Sequence, residues 1–366
     1  MKHFKVDIPF LTATVILVIA GLLIFSSASL GLLSKQAAKY PNVAFNQIFF
    51  GLILGTVACF ITSKLNYKIY KKYAAAIFIL SCISCLLVFI PHLGFASGGA
   101  KRWISLFGYS FQPSELLKIG FIIFFAAWIA KYKERIRSFK YGFLPFIVLI
   151  AITGILLLAE PDTDTFLIIV FAGLAIYLAS GGRWKYIFIL GLAGILGLGI
   201  LAFARPYVAS RISTFLDPAS DSLGSGYQIQ QSLIAIGSGG TFGRGYGQSI
   251  QKFNYLPEPI GDSIFAVASE EFGFIGASFI ILLFIFFGVR GLKIAAQIQD
   301  NFGRLMVVGI VILVVSQAFV NIGAMVGVLP LSGITLPFVS HGGSALFMTL
   351  AEVGIILNIS KNRRNK

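Results

Sequence analysis

The chain has 366 residues, of which 57% are hydrophobic and 12% are charged, and its formal net charge is +15. Soluble domains carry about 25% charged residues, so this composition excludes an ordinary soluble protein. A basic chain can bind nucleic acid, but here most lysines and arginines stand in short segments between long apolar runs. The composition therefore predicts an all-α, polytopic integral membrane protein without a nucleic-acid partner.

Ten apolar runs have the length expected of transmembrane helices. They cover residues 8–30, 44–62, 73–91, 113–130, 142–158, 164–180, 185–203, 264–288, 303–328 and 338–359. The first run is too long for a cleavable signal sequence, so it is predicted to remain as the first span. Lysine and arginine are in excess in alternate connections, which predicts that the N- and C-termini are both cytoplasmic.

One connection, residues 204–263 between the seventh and eighth spans, is far longer than the usual helix connection of about 2–8 residues. Long ordered loops often carry function. Within it, GYQIQQSLIAIGSGG places Ile229, Leu233 and Ile236 at helical spacing, which predicts a short amphipathic helix on the outer surface. We interpret residues 1–366 as a single membrane domain with one large extracytoplasmic loop.

The cysteines and histidines give little support for a metal site. Cys82 and Cys85 form a C-x-x-C pair, but both lie in an apolar run and no second ligand pair follows. Buried thiols are therefore predicted. His341 has no companion histidine near it in the sequence, so it does not indicate a metal centre by itself.

Asp262 is the most informative acidic residue, because it stands directly before the eighth span on the predicted outer side. Aspartate is a preferred helix N-cap, where it also favours the positive end of the helix dipole. A carboxylate at the membrane surface can instead act as a general base toward a hydroxyl group, or bind a divalent cation. The residues alone leave both interpretations open.

Glu270 and Glu271 follow in the same span, roughly 12–14 Å deeper by helix rise. Carboxylates at such a depth usually face a bundle interior or a wet cavity. They are predicted either to pair with Lys118 or a backbone group, or to line a polar cavity.

Two further segments place acids near the outer surface. QPSELLKIG puts Glu115 and Lys118 three residues apart on one helix face, which favours a mutual ion pair over direct chemistry. LAEPDTDT holds Glu160, Asp162 and Asp164 in a tight turn, where helix caps are favoured over cation ligands.

The predicted outer segments also carry cations that could contact an anionic substrate. Arg244 lies in GSGGTFGRGYG, whose glycines could turn several backbone N–H groups toward an anion. A plain flexible loop is the alternative, and no nucleotide-binding P-loop pattern is present. The other outer cations are Lys101, Arg102, Arg205, Arg211 and Lys252.

Proline and glycine crowd the connection between the last two predicted spans, in NIGAMVGVLPLSGITLPFVSHGGSALF. Irregular backbone near a membrane normally lines a site that is buried in protein or filled with water. Ser340 and His341 fall within this segment and are candidate site residues.

Several segments, taken in order, resemble the SEDS family, which includes FtsW, RodA and SpoVE. They are GAKRWI, FQPSELLK, AEPDTDT, RISTFLDPASDSLGSGYQIQQSLIAIGSGGTFGRGYG, YLPEPIGDSIFAVASEEFGFIG and NIGAMVGVLPLSGITLPFVSHGGS. The resemblance covers nearly the whole chain, and LPFVS and PEPIGDSIFA look more like FtsW than RodA. Two departures are Asp164, where the family commonly has glycine, and His341, where it often has tyrosine.

This resemblance implies a peptidoglycan glycosyltransferase that polymerises lipid II and releases undecaprenyl pyrophosphate. It implies that Asp262 is the catalytic base, which deprotonates the acceptor sugar 4-hydroxyl for an inverting attack on the donor anomeric carbon. It also implies that Glu115, Lys118 and Glu258 line the substrate site. We extend a substrate-binding role to the other predicted outer polar residues. The candidate substrate-binding residues are Lys101, Arg102, Glu115, Lys118, Arg205, Arg211, Arg244, Glu258, Ser340 and His341.

The resemblance further implies a partner class B penicillin-binding protein that supplies the transpeptidase, together with other membrane proteins of the division or elongation machinery. The expected location is the bacterial cytoplasmic membrane, with the active site on the outer side. No cofactor is expected to be required, although Mg²⁺ or Mn²⁺ is a candidate cation. A lipid II flippase, for which midplane charges would matter more than Asp262, and a non-catalytic scaffold are the competing hypotheses.

Overall fold

The computed structural model describes residues 6–363, except residues 36, 98–99, 107–108, 205 and 218–223. The first part of the chain forms α1 (Ile8–Lys35), α2 (Tyr40–Phe45), α3 (Gly55–Lys64), α4 (Lys68–Lys72) and α5 (Ala74–Leu86), with a π-helical segment at Asn46–Leu54 between α2 and α3. The middle part forms α6 (Pro113–Lys131), α7 (Leu144–Ala159), α8 (Thr163–Ala179) and α9 (Trp184–Ala204), with a π-helical turn at Phe139–Phe143 before α7. The last part forms α10 (Pro206–Leu216), α11 (Ser225–Ser238), α12 (Ile264–Gln297), α13 (Asn301–Met325) and α14 (Gly343–Ser360).

The predicted helical membrane architecture is confirmed. Among the described residues, seven helical segments are long and apolar enough to cross a membrane. Three shorter apolar helices, at Ala74–Phe89, Thr163–Ala179 and Trp184–Gly197, coincide with the other three predicted spans. The crossing of all ten segments stays a prediction.

A small antiparallel sheet, which the sequence analysis did not predict, lies between α5 and α6. Its strands are β1 (Gly94–Ser97), β2 (Ala100–Leu106) and β3 (Tyr109–Phe111), in the order β1-β2-β3. Gly94 pairs with Ile104, and Ile104 also pairs with Phe111 on the other side. Because β3 ends two residues before α6 begins, the sheet fixes the position of the α6 N-terminus.

The centre of the bundle is α13, which is buried along most of its length and contacts α6, α8, α12 and α14. Gly309 allows this close packing, because a Cβ there would lie 2.7 Å from Ile122 and from Ile176. By contrast, α9 lies at the periphery, and its Phe188 and Phe203 side chains are 76% and 96% exposed. This apolar face is suited to contact with lipid.

Helix α12 is broken near its N-terminal end, where the sequence analysis predicted a continuous span. Gly273 has φ 65° and ψ −166°, which is a conformation that side-chain-bearing residues rarely adopt. The freed backbone groups pair with the glycine-rich loop, since Phe274 N donates to Gly240 O at 2.8 Å. A Cβ on Gly243 would lie 2.1 Å from Glu271 O, so only glycine permits this approach.

Candidate active site

Asp262 lies at the end of the long loop, next to α11 and α12. The N-cap position of α12 is Ser263, and no side chain caps this helix end. The Asp262 carboxylate instead accepts a hydrogen bond from Gln228 Nε2 at 3.1 Å, and its backbone oxygen accepts one from Asn321 Nδ2 at 2.8 Å. In the structure the Asp262 carboxylate therefore bonds a side chain of α11 and does not cap α12.

The electrostatic surroundings of Asp262 suit a base that works near neutral pH. Burial, together with the negative charge of Glu258, raises the pKa of Asp262 to about 7, although the Gln228 hydrogen bond lowers it. A general base is most effective when its pKa lies close to the working pH. The residue as a whole remains partly exposed.

The loop before Asp262 is shaped by Glu258, which is exposed and adopts φ 45°. Its backbone oxygen accepts hydrogen bonds from Gly261 N at 3.0 Å and from Ser263 N at 3.3 Å. These bonds fold the chain into a tight turn directly before α12. Glu258 therefore shapes the loop and also contributes a negative charge beside Asp262.

The irregular segment between α13 and α14 supports the Asp262 loop from a second side. Ser340 Oγ donates to Gly261 O at 2.7 Å, and His341 N donates to Ile260 O at 2.7 Å. The structure thus brings two sequence-predicted site residues next to Asp262. It does so through hydrogen bonds to the loop backbone, one from the Ser340 side chain and one from the His341 N–H, which no sequence pattern could specify.

The His341 ring packs against α1 and the segment before the first π-helix. It stacks on Phe25 with a centroid distance of 5.9 Å and interacts with the backbone of Val43. Burial lowers the pKa of His341 to about 4, so the ring is neutral at physiological pH. Its Nε2 atom is buried without a hydrogen-bond partner.

Glu115 and Lys118 form the predicted ion pair, with Lys118 Nζ 2.9 Å from Glu115 Oε1. Both side chains are buried in the bundle. Lys118 Nζ also donates to Gln317 Oε1 at 2.8 Å, and Glu352 of α14 interacts electrostatically with both charged groups. Glu352 is a residue that sequence analysis missed, and its signal is a lone carboxylate within a strongly apolar helix.

Two α13 amides connect this charged cluster with the site. Gln317 Nε2 donates to Thr335 O at 3.0 Å, and Asn321 Nδ2 donates to Ile334 O as well as to Asp262 O, each at 2.8 Å. These side chains therefore hold the irregular backbone between α13 and α14 in place. They lie one helical turn apart on α13, which is the pattern that could have identified them.

Glu270 and Glu271 anchor the glycine-rich loop. Lys118 is not their partner, because it pairs with Glu115, but backbone N–H groups do bond Glu270, as the sequence analysis also allowed. Lys252 Nζ lies 2.6 Å from Glu271 Oε1, and both side chains are fully buried. Glu270 accepts hydrogen bonds from Ser249 Oγ at 2.5 Å and from Ile250 N at 3.0 Å. The two acids therefore hold the loop to the broken part of α12.

Two backbone N–H groups of the same loop, which the sequence analysis considered as anion donors, bind the protein itself. Arg244 N donates to Glu270 O at 2.9 Å, and Gly245 N donates to Glu271 O at 3.0 Å. The Arg244 side chain also approaches Glu270, with Nε 3.3 Å from Oε1. These backbone donors are consequently used inside the protein.

Two of the other predicted outer cations, Arg102 and Arg211, contact the acidic turn. Arg102 donates to the backbone oxygens of Glu160 and Pro161, and Arg211 pairs with Asp164 at 2.8 Å. Lys101 is exposed on β2, whereas Arg205 lies outside the described residues.

The three acids of the turn have different roles. Asp162 caps α8 by accepting from Thr165 N at 3.3 Å, as predicted. Asp164 is not a cap, because its carboxylate accepts from Arg211 and from Gly333 N. Glu160 ends α7, and its pKa is raised to about 8, mainly by burial and also by the negative charge of Asp162.

Within the described ranges, no group of three histidine, cysteine or acidic residues is arranged to hold a metal ion.

The fold defines a polytopic helical membrane protein. Comparisons with known proteins identify its family. The model of the FtsW/RodA/SpoVE family, described as "cell cycle protein", matches residues 8–365. The chain therefore belongs to this family.

Three similar proteins make the relationship more specific. Stage V sporulation protein E of Bacillus subtilis (strain 168) is 37% identical over 99% of both chains. A probable peptidoglycan glycosyltransferase FtsW of Geobacter sp. (strain M18) is 38% identical, over 98% of this chain and 97% of that protein. A solved chain from a peptidoglycan synthase complex that coordinates polymerization and crosslinking has a TM-score of 0.81 and 25% identity, with 99% of both chains covered. The FtsW-like resemblance of the sequence is consistent with these names.

Proposed function

We propose that this integral membrane protein is a peptidoglycan glycosyltransferase, with lipid II as its substrate and Asp262 as its catalytic base. Family membership and the FtsW relatives support the activity. The observation that supports the role of Asp262 is its carboxylate, which does not cap α12 and has a pKa raised to about 7.

The reaction follows from these groups. The Asp262 carboxylate takes the proton of the acceptor 4-hydroxyl as that oxygen attacks the anomeric carbon of the donor. The bond from this carbon to the pyrophosphate oxygen breaks, and undecaprenyl pyrophosphate leaves with the electron pair. The new β-1,4 bond has inverted configuration, and Asp262 then loses its proton to water.

A partner chain belongs to the proposal, because polymerised glycan must also be cross-linked. The solved relative comes from a complex that coordinates both steps. We propose a class B penicillin-binding protein as partner, with the active site outside the cytoplasmic membrane and both termini inside. Other membrane proteins of the division or elongation machinery would join the same complex.

The proposal is tested by polymerisation of labelled lipid II, with the purified protein alone and with a class B penicillin-binding protein. Asp262→Asn is expected to lower the rate at least 100-fold, since general-base catalysis contributes about 10²–10⁴-fold. Asp300→Asn is the matched control, because Asp300 caps α13 away from the site through Gly303 N at 2.9 Å. Normal polymerisation by Asp262→Asn would refute the mechanism.

Repeating the assay with Mg²⁺, Mn²⁺ and EDTA tests for a cation requirement.

A flippase is the second candidate, because Glu115, Lys118 and Glu352 form a charged cluster inside the bundle. Buried charges in a membrane commonly mark a transport route. Liposomes that contain the protein would then move fluorescent lipid II between leaflets. In that case Lys118→Met would abolish transport, whereas Asp262→Asn would not.

A further inference from the structure

An elongated groove lies between α11, the first half of α12 and the end of α13. Its volume is about 310 Å³, which falls within the range of small-molecule sites, and it is partly open to its surroundings. Its wall on α12 runs from Phe265 to Ile281, across the break at Gly273, which is a length of roughly 20 Å by helix rise. Ile236 of α11 and Val326, directly after α13, complete the lining. We call this cavity the α11–α12 groove.

The groove offers few polar atoms to a bound molecule. Phe265, Ile281 and Val326 contribute apolar side chains to it. Ser269 is one of two lining residues with a hydroxyl group, and its Oγ already donates to Phe265 O at 2.8 Å. Water in a cavity needs about two to four polar partners, and an empty groove would lose dispersion contacts along its walls. The chemistry of the lining therefore calls for an apolar occupant.

The opening of the groove is continuous with the surface of α12 that contacts lipid. Phe265, Ser269 and Gly273 are buried and form the floor, whereas Phe274 at the rim is 72% exposed. Beyond the rim, Leu282 of the same helix is 60% exposed. Because α12 is long and apolar enough to cross the membrane, these exposed side chains face hydrocarbon in the bilayer. An acyl chain can therefore enter the groove sideways from the surrounding lipid.

A cation lies near the half of the groove that is closest to Asp262. Arg244 follows the lining residue Gly240 by four positions in the glycine-rich loop. Its Nε lies 3.3 Å from Oε1 of Glu270, which is next in sequence to the lining residue Ser269. Arg244 is exposed, and a guanidinium group has five N–H donors, so it can bind an anion in addition to this carboxylate. Its charge is complementary to a lipid phosphate.

We propose that the α11–α12 groove binds one acyl chain of a phospholipid from the outer leaflet, with the lipid phosphate near Arg244. Acyl chains are the apolar molecules that fill the bilayer at this depth, and an elongated groove fits an extended chain. The bound chain packs against Phe265, in the first turn of α12, which begins two residues after Asp262. This lipid site is separate from the proposed glycosyl transfer and does not depend on it.

The test is photo-crosslinking in liposomes. The purified protein is reconstituted with phosphatidylglycerol that carries a diazirine on one acyl chain, and the crosslinked residues are located by mass spectrometry. Lipid around the protein will label exposed side chains in any case. Phe265 and Ser269 are diagnostic because they are buried, so only a chain inside the groove can reach them. Crosslinks to these two residues are expected.

Gly237→Leu is designed to fill the groove from α11. A Cβ added at Gly237 would meet no atom within 4 Å, so a larger side chain fits there without a clash. Crosslinking of Phe265 and Ser269 is expected to fall about fivefold or more, because the leucine side chain takes the space of the acyl chain. If this variant does not fold, Ala277→Leu gives the same test from the α12 wall.

Gly191→Leu is the matched control, because Gly191 on the peripheral helix α9 also has open space around its Cβ position. This variant is expected to leave the crosslinks to Phe265 and Ser269 unchanged. Leucine has a higher helix propensity than glycine, so neither glycine substitution is expected to lower the melting temperature.

Three results would overturn the inference. The first is the absence of crosslinks to Phe265 and Ser269 in the parent protein. The second is unchanged crosslinking in a folded variant with a filled groove, which would place the chain outside it. The third is loss of the phospholipid crosslinks when a small mole fraction of undecaprenyl phosphate is added, which would assign the groove to an isoprenoid chain instead.

Discussion

At the scale of single residues, the hydrogen bond from Gln228 to Asp262 controls the proposed base. The amide stabilises the charged carboxylate and so opposes the effect of burial, and the net pKa of Asp262 is raised to about 7. Gln228→Leu is expected to move the pKa of Asp262 further upward. Since the base acts only when deprotonated, activity is lost as pH falls through this pKa, and the acidic limb of the rate profile should move to higher pH.

The measurement is the pH dependence of lipid II polymerisation between about pH 5 and 9. Gln231→Leu is the control, because Gln231 lies on the same helix but does not bond to Asp262. If the acidic limb of the rate profile stays in place in Gln228→Leu while the rate falls at every pH, Gln228 acts only on the substrate and does not control the pKa of Asp262.

At the scale of structural elements, the broken helix α12 and its glycine-rich loop form one unit. The buried pair of Lys252 and Glu271 joins them at 2.6 Å, and Ser27 Oγ of α1 donates to the same carboxylate at 2.5 Å. Removing one partner of a buried pair costs about 3–5 kcal/mol, because the other charge remains buried and alone. The unit therefore depends on both charges.

Glu271→Gln is expected to lower the melting temperature of the detergent-solubilised protein and to loosen the loop that leads to Asp262. Differential scanning fluorimetry and limited proteolysis within residues 240–262 would measure these two effects. The double variant Lys252→Met/Glu271→Leu is expected to recover much of the stability, because it leaves no unpaired charge. Equal destabilisation by the single and double variants would contradict this account.

At the scale of the whole molecule, the orientation in the membrane is the main prediction. The excess of lysine and arginine in alternate connections places Glu134 inside and Phe242 outside. Single cysteines at these positions, in a background where Cys59, Cys82 and Cys85 are replaced by alanine, can be labelled in intact cells by a membrane-impermeant maleimide. Phe242→Cys should label without permeabilisation and Glu134→Cys only after it, and the reverse pattern would invert the topology.

Much of the molecule follows from sequence for a simple physical reason. A helix that crosses lipid must satisfy its own backbone and be apolar for about 20 residues, so composition alone locates it. The predicted amphipathic helix is also present as Ser225–Ser238, and Ile229 is buried as its spacing indicated, although Leu233 is 44% exposed. The ion pair between Glu115 and Lys118 follows equally from helical spacing.

What the tertiary structure decided is which polar groups meet across the chain. The break at Gly273 exists because the glycine-rich loop takes over backbone hydrogen bonds of α12, and the sheet before α6 forms by pairing rather than by periodicity. Asp262 is not a cap because Gln228, distant in sequence, binds its carboxylate. Apolar length and helical spacing are local properties that the sequence by itself determines. Partners for buried charges, and the atoms left without one, depend on long-range packing that only the folded bundle provides.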